Sequence, residues 1–549
     1  MRRMPGGKTL LQRWLSVGLV AGLWFVAAAR AAQQPGASAS QPPASQPPQV
    51  QSKSGPGGNT HITPEQAQKL FGLVDELLKF SSEETGLPIK RDVKRQLTTR
   101  AAVASYLREK FDEDQDAKRM ERSEIVLKKF GLLDRDFDLK PFLLQLLGEQ
   151  IEAYYDAKTR TVNLLDWVSP DEQKPVLAHE LTHALQDQRV DLDKWSNQSP
   201  DDVSTRAAAD TEHIAKDEMD TAREAVTEGQ ATAVMMDNIL KPTGHSLLKD
   251  PEVVEMIKQQ MTGTTDSPVM ARAPLLLSES LLFPYREGLS FEQDVWMDQG
   301  QEAAFAGTLD RPPASTWEIM NPREYEKGHL ARIPLLPNIH PLVDALYRPY
   351  DIGQVGELDV HILAKIYADD HASRDLTPAW DGGIYWAGQL RSATAEEQSS
   401  TKSIALLYLS IWKSPASAQQ FAAMYARELG RQFSGLKADK EAEKTSPTTE
   451  GEREQVYATT EGPVVVTTRG RMVFVAETFN LTLARKLAAL LLDAQGTGAM
   501  QLAFAGRGRQ PAAAVGMQPR EMLTGSLMRF LMGSGVMKAA VDPMVRKAR

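Results

Sequence analysis

The sequence predicts an α+β chain: a mainly helical first part interrupted by one β-hairpin, then a smaller unit of paired strands and helices. Three observations carry this. Apolar residues recur at helical spacing through 61–148. Strand-type residues fill 151–156 and 161–166, on either side of the short turn Ala157-Lys158-Thr159. From about residue 375 a strand-strand-helix order occurs twice, a ββα-ββα pattern.

Taken in order, the chain opens on Arg2, Arg3, Lys8 and Arg13, followed by 16 uncharged, mainly apolar residues at 14–29 and the small residues of Ala29-Arg30-Ala31. That is the pattern of an export signal over 1–31. The run is shorter than the roughly 20 residues a spanning helix needs. An uncleaved membrane anchor is the alternative. Without cysteine, no lipid anchor follows. Residues 32–60 are rich in Gln, Pro, Ser and Gly and have little to bury, so they read as a disordered linker. The expected destination is the periplasm or the extracellular medium, with no stable membrane span after cleavage.

Thr63-Pro64-Glu65-Gln66 is a capping box with proline at the first helical position, leading into Leu70, Val74, Leu77 and Leu78. Further helical runs are expected near 100–111, 121–130 and 139–147. After the hairpin, Ser169-Pro170-Asp171-Glu172 should start a helix to about Gln188, with Pro175 able to reset that start. Residues 190–219 read as a polar insert and 221–240 as a long helix. Residues 241–350, dense in proline, read as short helices and loops. Strands are expected at 383–390, 403–412, 456–460, 464–468 and 472–477. Helices should cover 414–433 and 481–492, with a charged loop over 437–454. The last segment, 496–549, carries eight Lys/Arg against Glu521 and Asp542, 8 − 2 = +6, and has a weakly amphipathic stretch at 522–540. Three larger units follow: 61–350, 351–495 as an accessory α+β domain, and the 496–549 tail.

Composition narrows the chemistry. Hydrophobic residues are 42% and charged residues 25% of the 549, which is globular. Net charge is 63 − 72 = −9, which gives no footprint for nucleic acid. The chain has no cysteine, so thiolate metal sites and cysteine nucleophiles are excluded. Any metal must be held by His and carboxylates.

His179-Glu180-Leu181-Thr182-His183 meets that condition. Positions four apart share a helix face, so both imidazoles can hold one Zn²⁺. Glu180 sits where it can take a proton from a metal-bound water. Leu177, Leu181, Ala184 and Leu185 form the opposite, apolar stripe. With nine His in the chain, the pattern arises by chance about 0.01 times per sequence, so it is a signal. Zinc catalysis needs a third protein ligand and an open position. Gln186 and Arg189 stand where the metzincin extension requires Gly and His. A later helix offers Glu224 and Glu228, with small residues Gly229, Ala231 and Ala233 suited to close approach to the zinc helix. His213 is a third candidate, in a polar segment. Tyr285, Arg286 and His213 are candidates to stabilise an oxyanion. The other histidines have no ligand spacing among them.

The motif with a Glu on a following helix resembles the gluzincin metallopeptidases. The resemblance is closest to uncharacterised secreted bacterial HExxH proteins. It rests on QIEAYYD at 150–156, VLAHELTHALQDQ at 176–188, VTEGQAT at 226–232, FPYREGLSF at 283–291 and RPPAST at 311–316, and covers about 61–330. It implies a zincin-like core with one zinc per chain, Glu228 as third ligand and Glu180 as general base. Glu224 is then left beside the site. Thermolysin-type enzymes have an Asp four residues after the third ligand, and this chain has Thr232 there. The implied activity is hydrolysis of a peptide or protein, with substrate added to the hairpin edge. Two rivals differ in class: a zinc hydrolase of a non-peptide amide, and a non-catalytic zincin-like binding protein of the envelope. A substrate screen separates the first. A purely structural site has no use for Glu180, which argues against the second.

Overall fold

Local capping explains where the first helix begins. The structure is a computed structural model describing residues 62–105, 114–150, 153–196, 198, 203–243, 246–261, 268–448 and 450–497. Helix α1 is Pro64–Thr85, and both halves of its capping box form: Thr63 N–H donates to Gln66 Oε1 at 2.8 Å, and Gln66 N–H to Thr63 Oγ1 at 3.2 Å. Gly86, at φ 70°, ends the helix, because a left-handed residue closes it without Cβ strain. Leu70, Val74, Leu77 and Leu78 are buried as their spacing required. The expected signal peptide, linker and 522–540 helix lie outside the described residues.

The region 61–148 is not all helix. Lys94–Thr98 forms strand β1, ahead of α2 (Asp114–Lys129) and α3 (Leu139–Gln150). The hairpin strands are β2 (Ala153–Asp156) and β3 (Thr161–Leu165). β1 joins β3 in parallel, from Lys94 opposite Thr161 to Thr98 opposite Leu165, giving the order β1-β3-β2. β2 is therefore an edge strand.

Helix α4 spans Pro170–Val190, and Pro175 lies inside it without moving its start. The amide of Gln173 ties that start to the sheet. It accepts from Leu165 N–H at 2.9 Å and donates to the carbonyls of Leu165 (2.9 Å) and Val168 (2.8 Å). The expected polar insert contains helix α5 (Ala207–Lys216). Helix α6 follows over Met219–Leu240. Within the proline-dense region stands the longest described helix, α7 (Leu275–Gln299), which carries Pro284 internally. One proline costs a helix one hydrogen bond and a clash. Burial on α6 and the surrounding core offsets that cost here.

A seven-stranded antiparallel sheet completes the structure, in the order β4-β5-β6-β10-β9-β8-β7. Its strands are β4 (Tyr347–Gln354), β5 (Trp380–Leu390), β6 (Ile404–Trp412), β7 (Lys437–Ala438), β8 (Glu452–Thr459), β9 (Gly462–Arg469) and β10 (Met472–Glu477). The ββα-ββα pattern needs correction: β4 precedes it, and the second half is three long strands before its helix. The expected charged loop at 437–454 contains β7, a short helix at Lys440–Lys444 and the start of β8. Helix α8 (Pro415–Gln432) lies on one face and α9 (Leu481–Ala494) on the other. Side chains alternate accordingly. Tyr408, Val466 and Val475 join one buried cluster that runs through α8 to α1, α4, α6 and α7. Leu407, Val465 and Phe474 join a second cluster with Leu487 and Leu491 of α9. Among the described residues no helix is long and apolar enough to cross a membrane.

Candidate metal centre

Two helices build the site. On α4, Leu177, Ala178, Leu181, Ala184 and Leu185 are buried in the core, which turns His179, Glu180 and His183 toward α6. The Nε2 atoms of His179 and His183 stand 3.0 Å apart, with the rings nearly perpendicular at 86°. From α6, Glu228 reaches both: Oε2 is 3.0 Å from His179 Nε2 and Oε1 is 3.4 Å from His183 Nε2. These three residues offer ligand atoms within 4.8 Å of one another and form the one such group of His and carboxylates among the described residues. A buried and a half-buried imidazole and a buried carboxylate with converging lone pairs can hold a metal ion.

Electrostatics follow from burial and proximity. Burial pulls the His183 pKa down, but the charges of Glu228 and Glu180 override it and raise it to about 9. Burial pushes the Glu228 carboxyl up, and the two histidines, His183 first, bring it well below the ordinary range. Glu180 is raised by burial, with the histidines opposing. Its Oε2 accepts the backbone N–H of Tyr155 at 2.7 Å, so the edge strand β2 aims this carboxylate. The Tyr155 hydroxyl donates to Asp187 Oδ2 at 2.9 Å, one turn beyond His183, and Arg91 closes an ion pair on the same carboxylate. Tyr155 thus pins the strand to α4 at two points.

The structure separates the sequence candidates. It brings together His179, Glu180, His183 and Glu228, and adds Tyr285 from α7. The Tyr285 ring centroid is 6.3 Å from that of His179. Its hydroxyl is raised well above 10 by burial, then by the charges of Glu228, Glu224 and Glu180, and it bonds to Glu228. Glu224 lies one turn before Glu228, buried on the Tyr285 side and outside the three-residue group. His213 is buried and sits 4.0 Å from Asp217, the cap of the same helix, also outside the group. Arg286 is committed to Glu279 at 2.9 Å and Glu287 at 3.0 Å. The small residues of α6 do not all serve the approach to α4. A Cβ on Gly229 would fall 2.4 Å from the Gly288 carbonyl, so this glycine admits α7 instead.

Two residues escaped the sequence reading. Gln186 Oε1 lies 2.8 Å from His183 Nδ1, and Gln186 Nε2 donates to Gln230 Oε1 at 2.9 Å. Their signals were present: Gln186 is three residues from His183 on the same face, and Gln230 is two from Glu228. Thr232 contributes no bond to the centre, since its buried hydroxyl has no partner among the described residues.

The chain matches no family model, no curated protein and no solved structure.

Proposed function

We propose that the chain is an exported zinc-dependent metallopeptidase of gluzincin type, with a zincin-like core, acting on a peptide or protein. The observation that carries this is the His179–His183–Glu228 group with Glu180 beside it. Zinc–ligand bonds of about 2.0–2.1 Å in a tetrahedron put neighbouring ligand atoms roughly 3.3 Å apart. The nearest approaches here are 3.0, 3.0 and 3.4 Å, so the donors fit one zinc per chain. When bound, the ion supplies Lewis-acid polarisation of a scissile carbonyl and acidifies a water.

The residues do the rest. Glu180, lifted by burial and aimed by Tyr155 N–H, takes a proton from the attacking water and delivers it to the leaving amine. Tyr285 steadies the Glu228 carboxylate. Substrate lies along the edge of β2, where the Tyr155 N–H is already given to Glu180 and the remaining outward backbone groups are what a peptide strand can pair with. The signal-like N-terminus supports export.

Zinc content of the full chain, purified without affinity metals, tests the site. The expected result is one zinc in wild type and in Glu224→Ala, and none in His183→Ala or Glu228→Ala. Glu180→Gln should keep its zinc and lose about 10²- to 10⁴-fold in peptide hydrolysis. Wild type without zinc after reconstitution would sink the proposal. Full activity in Glu180→Gln would remove the general base.

A further inference from the structure

A metal-binding imidazole must present a bare nitrogen, and a hydrogen bond at its other nitrogen decides which one that is. For His183 that decision is made two side chains away. We propose that a one-way chain of amides, anchored on a π-helical turn, fixes His183 as the Nδ1–H tautomer, and that Gln186 and Gln230 are positioning residues of the metal centre. This rests on the metallopeptidase reading.

The direction follows from the far end. Residues Ala303–Gly307 form a π-helical turn, a local departure from the regular helical ladder. Gln230 Nε2 meets the carbonyls of Ala304 and Phe305, each at 3.0 Å, and Thr308 Oγ1 at 2.9 Å. A carbonyl can only accept, and the Thr308 hydroxyl spends its proton on the Ala304 carbonyl at 2.6 Å. The nitrogen of Gln230 must therefore face the turn and its oxygen must face Gln186. That oxygen accepts from Gln186 Nε2, which also meets the Thr227 carbonyl at 3.0 Å. Only the oxygen of Gln186 is left for His183, 2.8 Å from Nδ1. An amide oxygen cannot donate, so Nδ1 carries the proton and, once the ring is neutral, the bare lone pair for the metal is on Nε2. Gln186, Gln230 and Thr308 are fully buried, so water does not compete with this order.

The links from His183 to the turn are neutral amides and a hydroxyl, so the ring is oriented without a carboxylate beside it; the carboxyl that meets Gln230 and Thr308 at the far end, Glu292, is pushed well above its ordinary value by burial. The same chain couples three elements: the zinc helix, the helix of the third ligand, and the turn at 303–307.

The test uses the full chain and Zn²⁺ alone, with affinity read by competition against a chelator. Gln186→Leu should weaken zinc binding about 10- to 100-fold. Gln186→Glu should retain it, because a carboxylate still accepts from Nδ1. Gln230→Leu should weaken binding by a smaller factor, and the double Leu variant should be no weaker than Gln186→Leu, because both act through one path. Nitrogen NMR of labelled histidine in the zinc-loaded chain should place the His183 ring proton on Nδ1. Its exchange with solvent should quicken in Gln230→Leu, a residue that does not touch the ring. This readout keeps the proposal testable if Gln186→Leu fails to fold. Wild-type affinity in a folded Gln186→Leu, losses that multiply in the double variant, or a ring proton on Nε2 would each overturn it. Absence of zinc from wild type would instead overturn the metallopeptidase reading beneath it.

Discussion

At the scale of single residues, the metal-free centre is held together by its own charges. Three groups that would repel one another if all were bare share protons: Glu228 sits well below its ordinary range and His183 is raised to about 9. A raised histidine stabilises the fold below its unfolded value of about 6.5 and loses that contribution as pH climbs through the folded value. The lowered Glu228 works the other way, and its contribution is lost only as pH falls through the acid range. A metal must displace the His183 proton to use Nε2. Zinc affinity should therefore rise with pH up to about 9 and flatten above it. Chelator competition across that window measures it, and an affinity already flat at neutral pH would mean that His183 is bare in the metal-free chain. The motif's identity and face were legible in the sequence, because the i, i+4 spacing on an apolar helix is local information. The choice of Glu228 over Glu224 came from the family resemblance and not from the spacing, because two glutamates one turn apart satisfy the same pattern. In the structure the crossing of α6 over α4 distinguishes them, bringing Glu228 against both histidines.

At the scale of elements, the site depends on how closely α6 and α7 approach. A Cβ on Gly288 would lie 2.0 Å from the Ala225 carbonyl, and one on Gly229 would lie 2.4 Å from the Gly288 carbonyl. Both obstacles are backbone, so no side chain can move aside. Gly288→Ala should cost about 2–3 kcal/mol, at the upper end of overpacking, and shift α6 enough to weaken zinc binding. Denaturant unfolding and zinc titration of the same variant check both parts. A stable variant with intact zinc binding would show that the helices can part without disturbing Glu228. The elements that the sequence revealed are those with strong local signals: the capping box at Thr63, the hairpin and the motif helix. β1 was hidden because Lys94-Arg95-Gln96-Leu97-Thr98 is mostly polar and owes its strand state to pairing with β3. α7 was hidden because Pro284 counts as a breaker until tertiary burial outweighs it.

At the scale of the whole molecule, the sheet holds the start of α6, the helix that carries Glu228. Just before α6, Asp217 Oδ2 accepts the backbone N–H of Gln354 on β4 at 2.5 Å. Glu218 Oε1 accepts the Thr316 hydroxyl at 2.7 Å. The carboxylate of Glu218 lies where a side chain of Gly356, the cap of the Glu357–Tyr367 helix, would be: a Cβ there would fall 1.8 Å from Oε1. Nearby, Asn321 donates to Glu357 Oε2 at 2.6 Å. His213 stands 4.0 Å from Asp217, and the charge of Lys413 acts on Glu357. Burial first, and for Glu218 the neighbouring Asp359 and Glu357 as well, raises Glu218 to about 8 and Glu357 to about 7, with Asp217 well above its ordinary value. These carboxyls are therefore neutral in the fold at mildly acidic pH. Their raised values mean a contribution that is complete below about pH 4.3 and is lost as pH rises through the folded values. The metal-free chain should melt at progressively lower temperature from about pH 4.3 to about pH 8, and Glu218→Gln, which keeps the acceptor and removes the charge, should flatten part of that decline. A calorimetric scan of both proteins decides it. If the variant declines as steeply as wild type, Glu218 is ionised within the fold and the junction between sheet and α6 is balanced by some other group. If the slope flattens and zinc is retained at high pH only in the variant, the attachment of α6 to the sheet is what holds Glu228 in place.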